Sequence, residues 1–268
     1  MLVIKNANVI FTDKIRNATV LCDNGKIVDI VERYSENNND TVIDVNGDYL
    51  SPGFIDIHVH GGGNKSAMST NPLDIIEMAE AHLKHGTTSI VPTTLASPIS
   101  QLKDVTLSIK EASEKSTKAN ILGLHYEGPY ISLKYKGAQS PENILNPIKN
   151  PPDELFELWD KILIMGAAPE EEGCLELGDK LRKRNIDVIV TTHNAMLMNQ
   201  YKKEHLVGVS VVYREKEKGT SKFVPFIDID DFPAILAAGG LGDAMIDNRL
   251  ISAIKDEKKS EDYSWLGV

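Results

Sequence analysis

The sequence is poor in cysteine, with only Cys22 and Cys174 among its 268 residues. They lie far apart with no metal-type spacing, which argues against a disulfide framework and leaves histidines and carboxylates as metal ligands. No run of about 18 apolar residues predicts a membrane span, so no membrane partner is expected. The N-terminus lacks the charged-then-apolar layout of a signal peptide, and we expect a cytoplasmic protein.

Positively charged residues are fewer than negatively charged ones. The chain has 29 lysines and arginines against 39 aspartates and glutamates, which gives a formal net charge of −10. This balance argues against nucleic acid as a partner, and a phosphorylated substrate would need a local basic patch. Hydrophobic and charged contents of 41% and 25% are ordinary for a globular protein.

The pattern of the chain changes near residue 50. Residues 1–50 contain short β-branched runs separated by Asp/Asn-Gly turn signals, which predict a small antiparallel sheet. From residue 51 to 268, strand-like and helix-like segments alternate at first, which favours parallel βαβ units in a barrel or an open sheet. The pattern predicts five strands up to residue 192, and the alternation of strand and helix becomes less regular beyond it. We therefore predict two domains, 1–50 and 51–268.

Two histidines stand near the start of the second part. If residues 54–60 form a strand, its period of two places Asp56, His58 and His60 on one face. Neutral imidazole is a favoured ligand of zinc and similar divalent ions, and a pair at i and i+2 can chelate one ion. The alternative is a pair of inert, hydrogen-bonded histidines at a strand end. The motif alone does not decide between the two.

Two later strand ends have groups suited to the same chemistry. Glu127 closes the third predicted strand and His193 closes the fifth. Side chains at the C-terminal ends of barrel strands form active sites, so we expect both to lie near His60. For Glu127 the alternative is a solvated carboxylate at the start of a loop. His125 shares the face of Glu127 but lies two residues deeper, and we expect a buried structural histidine there.

Five short motifs follow one another along the chain. They are SPGFIDIHVH at 51–60, GTTSIVPTT at 86–94, GLHYEGP at 123–129, KGAQSP at 136–141 and APE at 168–170. Together they resemble the N-acetylglucosamine-6-phosphate deacetylase family of the amidohydrolase superfamily, as far as about residue 196. The resemblance implies an α/β fold, namely an incomplete (β/α) barrel of the amidohydrolase type with a small N-terminal β-sandwich-like domain.

The same resemblance implies metal-dependent deacetylation of an amino-sugar phosphate by a homodimer. The ion would be zinc, with iron or manganese as alternatives. By analogy, Glu127 and His193 would hold the main ion, and His58 with His60 would resemble a pair that holds a second one. Residues that match substrate-contacting positions are Gln139, Asn194 and Ala195.

The last third of the sequence departs from this family. The family has two histidines where this chain has a single Thr-His-Asn-Ala-Met stretch at 192–196. The catalytic aspartate of the family has Asp243 as its only candidate match, and a plain turn residue is the alternative. Two other functions therefore stay open: a non-catalytic relative that binds metal or sugar phosphate, and another C–N hydrolase on the same scaffold.

Overall fold

A computed structural model of the protein describes residues 1–35, 37–183, 189, 195–199, 203–214, 219–230, 232–247 and 249–254. The chain forms two compact units, Met1–Cys174 and Leu175–Val268. The predicted fifth strand at 186–192 lies outside the described residues. The predicted boundary at residue 50 stays a prediction.

The first 50 residues form a five-stranded sheet. Its strands are β1 (Leu2–Ile10), β2 (Ile15–Asp23), β3 (Lys26–Val31), β4 (Thr41–Asp44) and β5 (Tyr49–Leu50). As predicted, β1, β2 and β3 pair antiparallel, with Asn24 and Gly25 in the left-handed conformation of a tight hairpin turn.

The prediction of a purely antiparallel sheet is wrong for β4 and β5, which run parallel to β1. The link between β3 and β4 is longer than a hairpin turn, and such a link lets a strand return in the same direction. A β-sandwich-like arrangement of this region stays a prediction.

A second, parallel sheet follows in the same unit. Its strands are β6 (Phe54–Val59), β9 (Thr87–Thr94), β10 (Asn120–Ile121), β11 (Leu124–Tyr130) and β12 (Ile162–Ala167). The strand β9 pairs with β6, β10 and β11, and β11 pairs with β12. A two-stranded ribbon, β7 (Gly61–Gly62) and β8 (Lys65–Ser66), lies beyond β6. All pairs of the larger sheet are parallel, as the strand and helix alternation predicts.

Helices alternate with these strands. They are α1 (Pro72–Leu83), α2 (Ile99–Lys115) and α3 (Asp153–Leu158), with a 3₁₀ turn at Pro141–Asn143. The next helix, α4 (Cys174–Lys183), belongs to the second unit except for Cys174. The start of α1 follows the sequence signal: the Asn71 side chain accepts a hydrogen bond from the backbone N–H of Leu73, and Pro72 opens the helix.

A buried layer joins the helices to the sheet. Ile75 and Met78 of α1, Leu102 of α2 and Ile90 of β9 are all fully buried in one cluster. Each such side chain contributes about 1.5–3 kcal/mol of hydrophobic free energy, before the entropy of ordering the chain is subtracted. This packing fixes the strands and therefore the residues at their C-terminal ends.

One face of β6 is largely exposed. Ile55 and Ile57 are 62% and 55% exposed, whereas Val59 is buried. Within the described part of the chain, β6 pairs only with β9 and is an edge strand.

The second unit has its own elements and core. They are α5 (Ala195–Met198), β13 (Ser210–Arg214), β14 (Ser221–Pro225), α6 (Phe232–Ala237), α7 (Leu241–Ile246) and α8 (Arg249–Ala253), with 3₁₀ turns at Lys203–Gly208 and Phe226–Asp228. Phe226, Ile229 and Leu241 belong to its buried cluster. The strands β13 and β14 pair antiparallel, unlike the strands of a β/α barrel, and the incomplete barrel stays a prediction. Across the segments that the structure describes, no helix is long and apolar enough to cross a bilayer.

Candidate metal centre

Three side chains meet at the C-terminal edge of the parallel sheet. His58 lies in β6, His60 directly follows that strand, and Glu127 lies in β11. One ligand atom from each lies within 4.8 Å of the others. The two imidazole Nε2 atoms are 3.1 Å apart, and they lie 3.5 Å (His58) and 3.2 Å (His60) from the two carboxylate oxygens of Glu127. The structure thus brings together three of the four predicted ligands.

These separations suit a single small divalent ion. A tetrahedral ion with bonds of about 2.1 Å holds its ligand atoms roughly 3.4 Å apart. Two imidazole nitrogens and a carboxylate oxygen are also the donor types that zinc accepts, with iron and manganese as further candidates. The side chains are 47%, 39% and 35% exposed for His58, His60 and Glu127, respectively, so the cluster is open to solvent and to a ligand.

The backbone of β9 fixes the ring of His60. Its Nδ1 atom lies 2.9 Å from the carbonyl oxygen of Thr93. Since a carbonyl only accepts, Nδ1 must hold the proton, and this leaves the lone pair of Nε2 for a metal or a proton at the cluster. The hydroxyl of Thr93, which is fully buried, also accepts a hydrogen bond from the backbone N–H of Val59 at 3.0 Å.

His125 lies beneath the cluster, as the sequence predicted. It is 9% exposed, its Nδ1 lies 3.1 Å from the carbonyl oxygen of Ile57, and its ring packs edge-on against His58 with centroids 4.8 Å apart. Burial lowers the pKa of His125 below its ordinary value, an effect that the bond to Ile57 partly opposes. The buried ring of His125 thus supports the ring of His58 from below.

Gln139 contacts Glu127 from the following loop. Its Nε2 atom lies 2.6 Å from Oε2 of Glu127, and its Oε1 atom accepts a hydrogen bond from the backbone N–H of Ala96 at 2.9 Å. The predicted role of Gln139 as a substrate contact stays a prediction.

Comparison with known proteins identifies the family of this chain. Residues 49–201, more than half of the chain, match the model of the amidohydrolase family. This chain belongs to the amidohydrolase family. The matched region contains His58, His60 and Glu127, so the cluster lies within the part of the sequence that defines membership.

The relatives of this amidohydrolase include sugar-phosphate deacetylases. It is 35% identical over 166 residues to N-acetylglucosamine-6-phosphate deacetylase of Haemophilus influenzae, with 60% of this chain and 43% of the relative covered. It is 30% identical over 162 residues to N-acetylgalactosamine-6-phosphate deacetylase of Escherichia coli, with 60% and 43% covered. These matches confirm the resemblance read from the five motifs.

A solved structure of a deacetylase is also similar to this chain. N-acetylglucosamine-6-phosphate deacetylase of Pasteurella multocida is 29% identical and superposes with a TM-score of 0.60, covering 68% of this chain and 48% of that one. The amidohydrolase chain thus spans about half the length of the relatives that it matches.

The remaining predicted site residues of the amidohydrolase fall in its last third. His193 and Asn194 lie outside the described residues. Ala195 is the first residue of α5, and its carbonyl oxygen accepts a hydrogen bond from the backbone N–H of Asn199 at 3.0 Å. The roles of all three stay predictions.

Asp243 lies in the first turn of α7. Its carboxylate accepts hydrogen bonds from the backbone N–H of Gly240 at 2.8 Å and from the side-chain amide of Asn199 at 3.2 Å. These bonds, that from Gly240 first, hold the pKa of Asp243 below its ordinary value, and Arg249 adds to the effect. The geometry is that of a helix-capping carboxylate, and the catalytic role of Asp243 stays a prediction.

Sequence reasoning missed Thr93 and Ala96, which support the cluster through their backbone. A signal for Thr93 was present: it stands at the end of the second predicted strand, where the rule that pointed to His60 and Glu127 also applies. No comparable signal marks Ala96, since its contribution is a backbone N–H that any residue other than proline could supply.

Proposed function

We propose that this protein removes the acetyl group from an N-acetylated hexosamine 6-phosphate. The first candidate is N-acetylglucosamine 6-phosphate, with glucosamine 6-phosphate and acetate as products. The observation that supports the proposal is the convergence of His58, His60 and Glu127 in a chain similar to deacetylases of this kind. The relative named for N-acetylgalactosamine 6-phosphate makes the epimeric sugar the second candidate.

We further propose a divalent ion as cofactor, zinc first, with iron or manganese as alternatives. His58, His60 and Glu127 would hold it, and His193 is added on the resemblance alone. Bound there, the ion supplies Lewis acidity towards water and an acetamide carbonyl at neutral pH. The two imidazoles and the carboxylate are already oriented, because Thr93 holds the ring of His60 and Gln139 holds the carboxylate of Glu127.

Residues of this chain would also transfer the proton and contact the substrate. Amide hydrolysis needs a carboxylate that takes a proton from water and delivers it to the leaving amine, and Asp243 is the proposed group. Gln139, Asn194 and Ala195 are the proposed substrate contacts. A homodimer and a cytoplasmic location remain predictions from the sequence.

Acetate release tests this proposal. The full chain is incubated with each of the two N-acetylated hexosamine 6-phosphates, with zinc, iron(II) or manganese supplied in separate reactions, and acetate is measured. We expect release from at least one sugar, and its loss in a Glu127→Ala variant. No release from either sugar with any of the three ions would contradict the proposed activity and favour a relative that binds without turnover.

A further inference from the structure

The side chain of Gln139 is unusually well determined for a residue in a loop. It is 8% exposed, and both ends of its amide have a partner. The backbone N–H of Ala96 can only donate and the carboxylate of Glu127 can only accept. The amide must therefore present Oε1 to Ala96 and Nε2 to Glu127. In the opposite orientation, the amide nitrogen would face the N–H of Ala96 and the amide oxygen would face the carboxylate of Glu127.

The loop around Gln139 is fixed by further hydrogen bonds. Its backbone N–H donates to the carbonyl oxygen of Lys136 at 3.1 Å, and the ammonium group of Lys136 donates to the carbonyl oxygen of Gln139 at 2.8 Å. Ala96, which anchors the other end of the amide, is 2% exposed and follows β9. The position of the amide is therefore fixed by the loop at Lys136 and by Ala96, independently of its bond to the carboxylate.

The contact determines how the carboxylate of Glu127 faces the histidines. The oxygen that accepts from Gln139 is Oε2, which is also the oxygen 3.2 Å from Nε2 of His60. The other oxygen, Oε1, is left facing Nε2 of His58 at 3.5 Å. Without this hydrogen bond, the carboxylate could rotate and swing away from the pair, because a glutamate side chain has several rotatable bonds.

We propose that Gln139 is a positioning residue for the metal ligand Glu127. It fixes the carboxylate in the orientation in which both imidazoles and one carboxylate oxygen converge, and it raises the affinity of the centre for a divalent ion. This inference rests on the proposed metal site and deepens it. This positioning role is separate from the proposed substrate contact, because it concerns the buried hydrogen bond to Glu127 and not a bound sugar.

Zinc affinity tests the proposal without any need for activity. Apo full-length protein is titrated with zinc in competition with a chromogenic chelator, for the wild type and for Gln139→Met, which keeps the length of the side chain but removes the donor. Loss of an outer partner of a metal ligand typically weakens binding about 10- to 100-fold. We expect a loss in that range for Gln139→Met, and an affinity equal to the wild type would overturn the proposal.

A double-mutant comparison separates positioning from a general structural effect. In a Glu127→Ala background Gln139 has no carboxylate to orient, so Gln139→Met should then change zinc affinity less than about twofold. An equal loss in both backgrounds would overturn the proposal. Tyr126→Phe serves as a control, since it removes the buried hydroxyl that contacts Thr106 without touching the carboxylate.

The control has its own expected result. Tyr126→Phe should lower the midpoint of urea unfolding and leave zinc affinity unchanged, and a loss as large as that of Gln139→Met would overturn the positioning role. Absence of zinc binding in the wild type would instead overturn the proposed metal site, and the inference with it. Zinc binding without acetate release would contradict only the proposed activity.

Discussion

Glu127 and Asp243 are both carboxylates that the sequence predicted to be functional, Glu127 as a metal ligand and Asp243 as a catalytic residue, and their surroundings in the structure differ. Glu127 lies within the parallel strand β11, with two imidazole nitrogens next to its oxygens. Asp243 lies at the start of a short helix and accepts hydrogen bonds from a backbone N–H and an amide. Partners of Asp243 are those of a helix cap, whereas partners of Glu127 include two groups that can share a metal ion.

The comparison shows what a sequence motif leaves undetermined. Both residues were chosen by analogy with the same family, but only Glu127 was also supported by its place at a strand end. The prediction that Glu127 ends its strand is wrong, because β11 continues to Tyr130. Glu127 nevertheless lies just beyond the residues of β11 that pair with β9. A carboxylate in the first turn of a helix can act as a cap, because the backbone N–H groups there have no partner within the helix.

Removing the support of the metal centre should have the larger effect on stability. Thr93→Val keeps the shape of the side chain but leaves the buried N–H of Val59 without its acceptor, and a buried unpaired donor costs about 1–3 kcal/mol. We expect the free energy of unfolding, measured by urea denaturation, to fall by that amount.

The neighbouring threonine is a matched control. The buried hydroxyl of Thr94 has no hydrogen-bond partner among the residues that the structure describes, so Thr94→Val should be neutral or slightly stabilising. Equal losses for the two variants would show that the hydroxyl of Thr93 does not have the role described for it.

A substitution of Asp243 should have a smaller effect on stability. Asp243→Asn weakens the bond to Gly240 and should lower the midpoint of urea unfolding at pH 7, because a neutral amide is a weaker acceptor for the helix N-terminus. Asp228→Asn, a surface carboxylate in the same unit, is the control. Loss of acetate release in Asp243→Asn would agree with the proposed catalytic role, and unchanged stability would contradict the capping role.

The pH dependence of this effect has a definite sign. The pKa of Asp243 is lower in the folded state than in the unfolded chain. Its contribution to stability is therefore complete above the ordinary carboxyl pKa of about 4 and is lost as the pH falls through the lower folded value. The difference between the wild type and Asp243→Asn should shrink over that range, and a difference that grew on acidification would contradict the account.

Much of the first unit was predictable from local patterns. The β-branched run at Thr87–Thr94 is typical of a strand and forms β9, and Asn71 with Pro72 is a helix-start signal and opens α1. The rule that strand ends gather functional groups also brought His58, His60 and Glu127 together. These inferences depend on periodicity and on capping, both of which act over a few residues.

What could not be predicted depends on contacts between distant segments. The bond between Gln139 and Glu127 joins residues 12 positions apart, and its geometry is set by a loop anchored on Ala96. The parallel pairing of β4 with β1 depends on where a long link returns the chain. The exposure of Ile55 and Ile57 likewise depends on strand pairing, since β6 is an edge strand among the described residues.

The most direct test of the account is the metal content of the protein. The full chain is dialysed against zinc, freed of loose ions, and analysed for zinc beside Glu127→Ala and Asp243→Asn. We predict about one equivalent for the wild type, as in single-ion catalytic sites, the same for Asp243→Asn and a marked loss for Glu127→Ala. Full zinc content in Glu127→Ala, or none in the wild type, would contradict the claim that these strand ends form a metal centre.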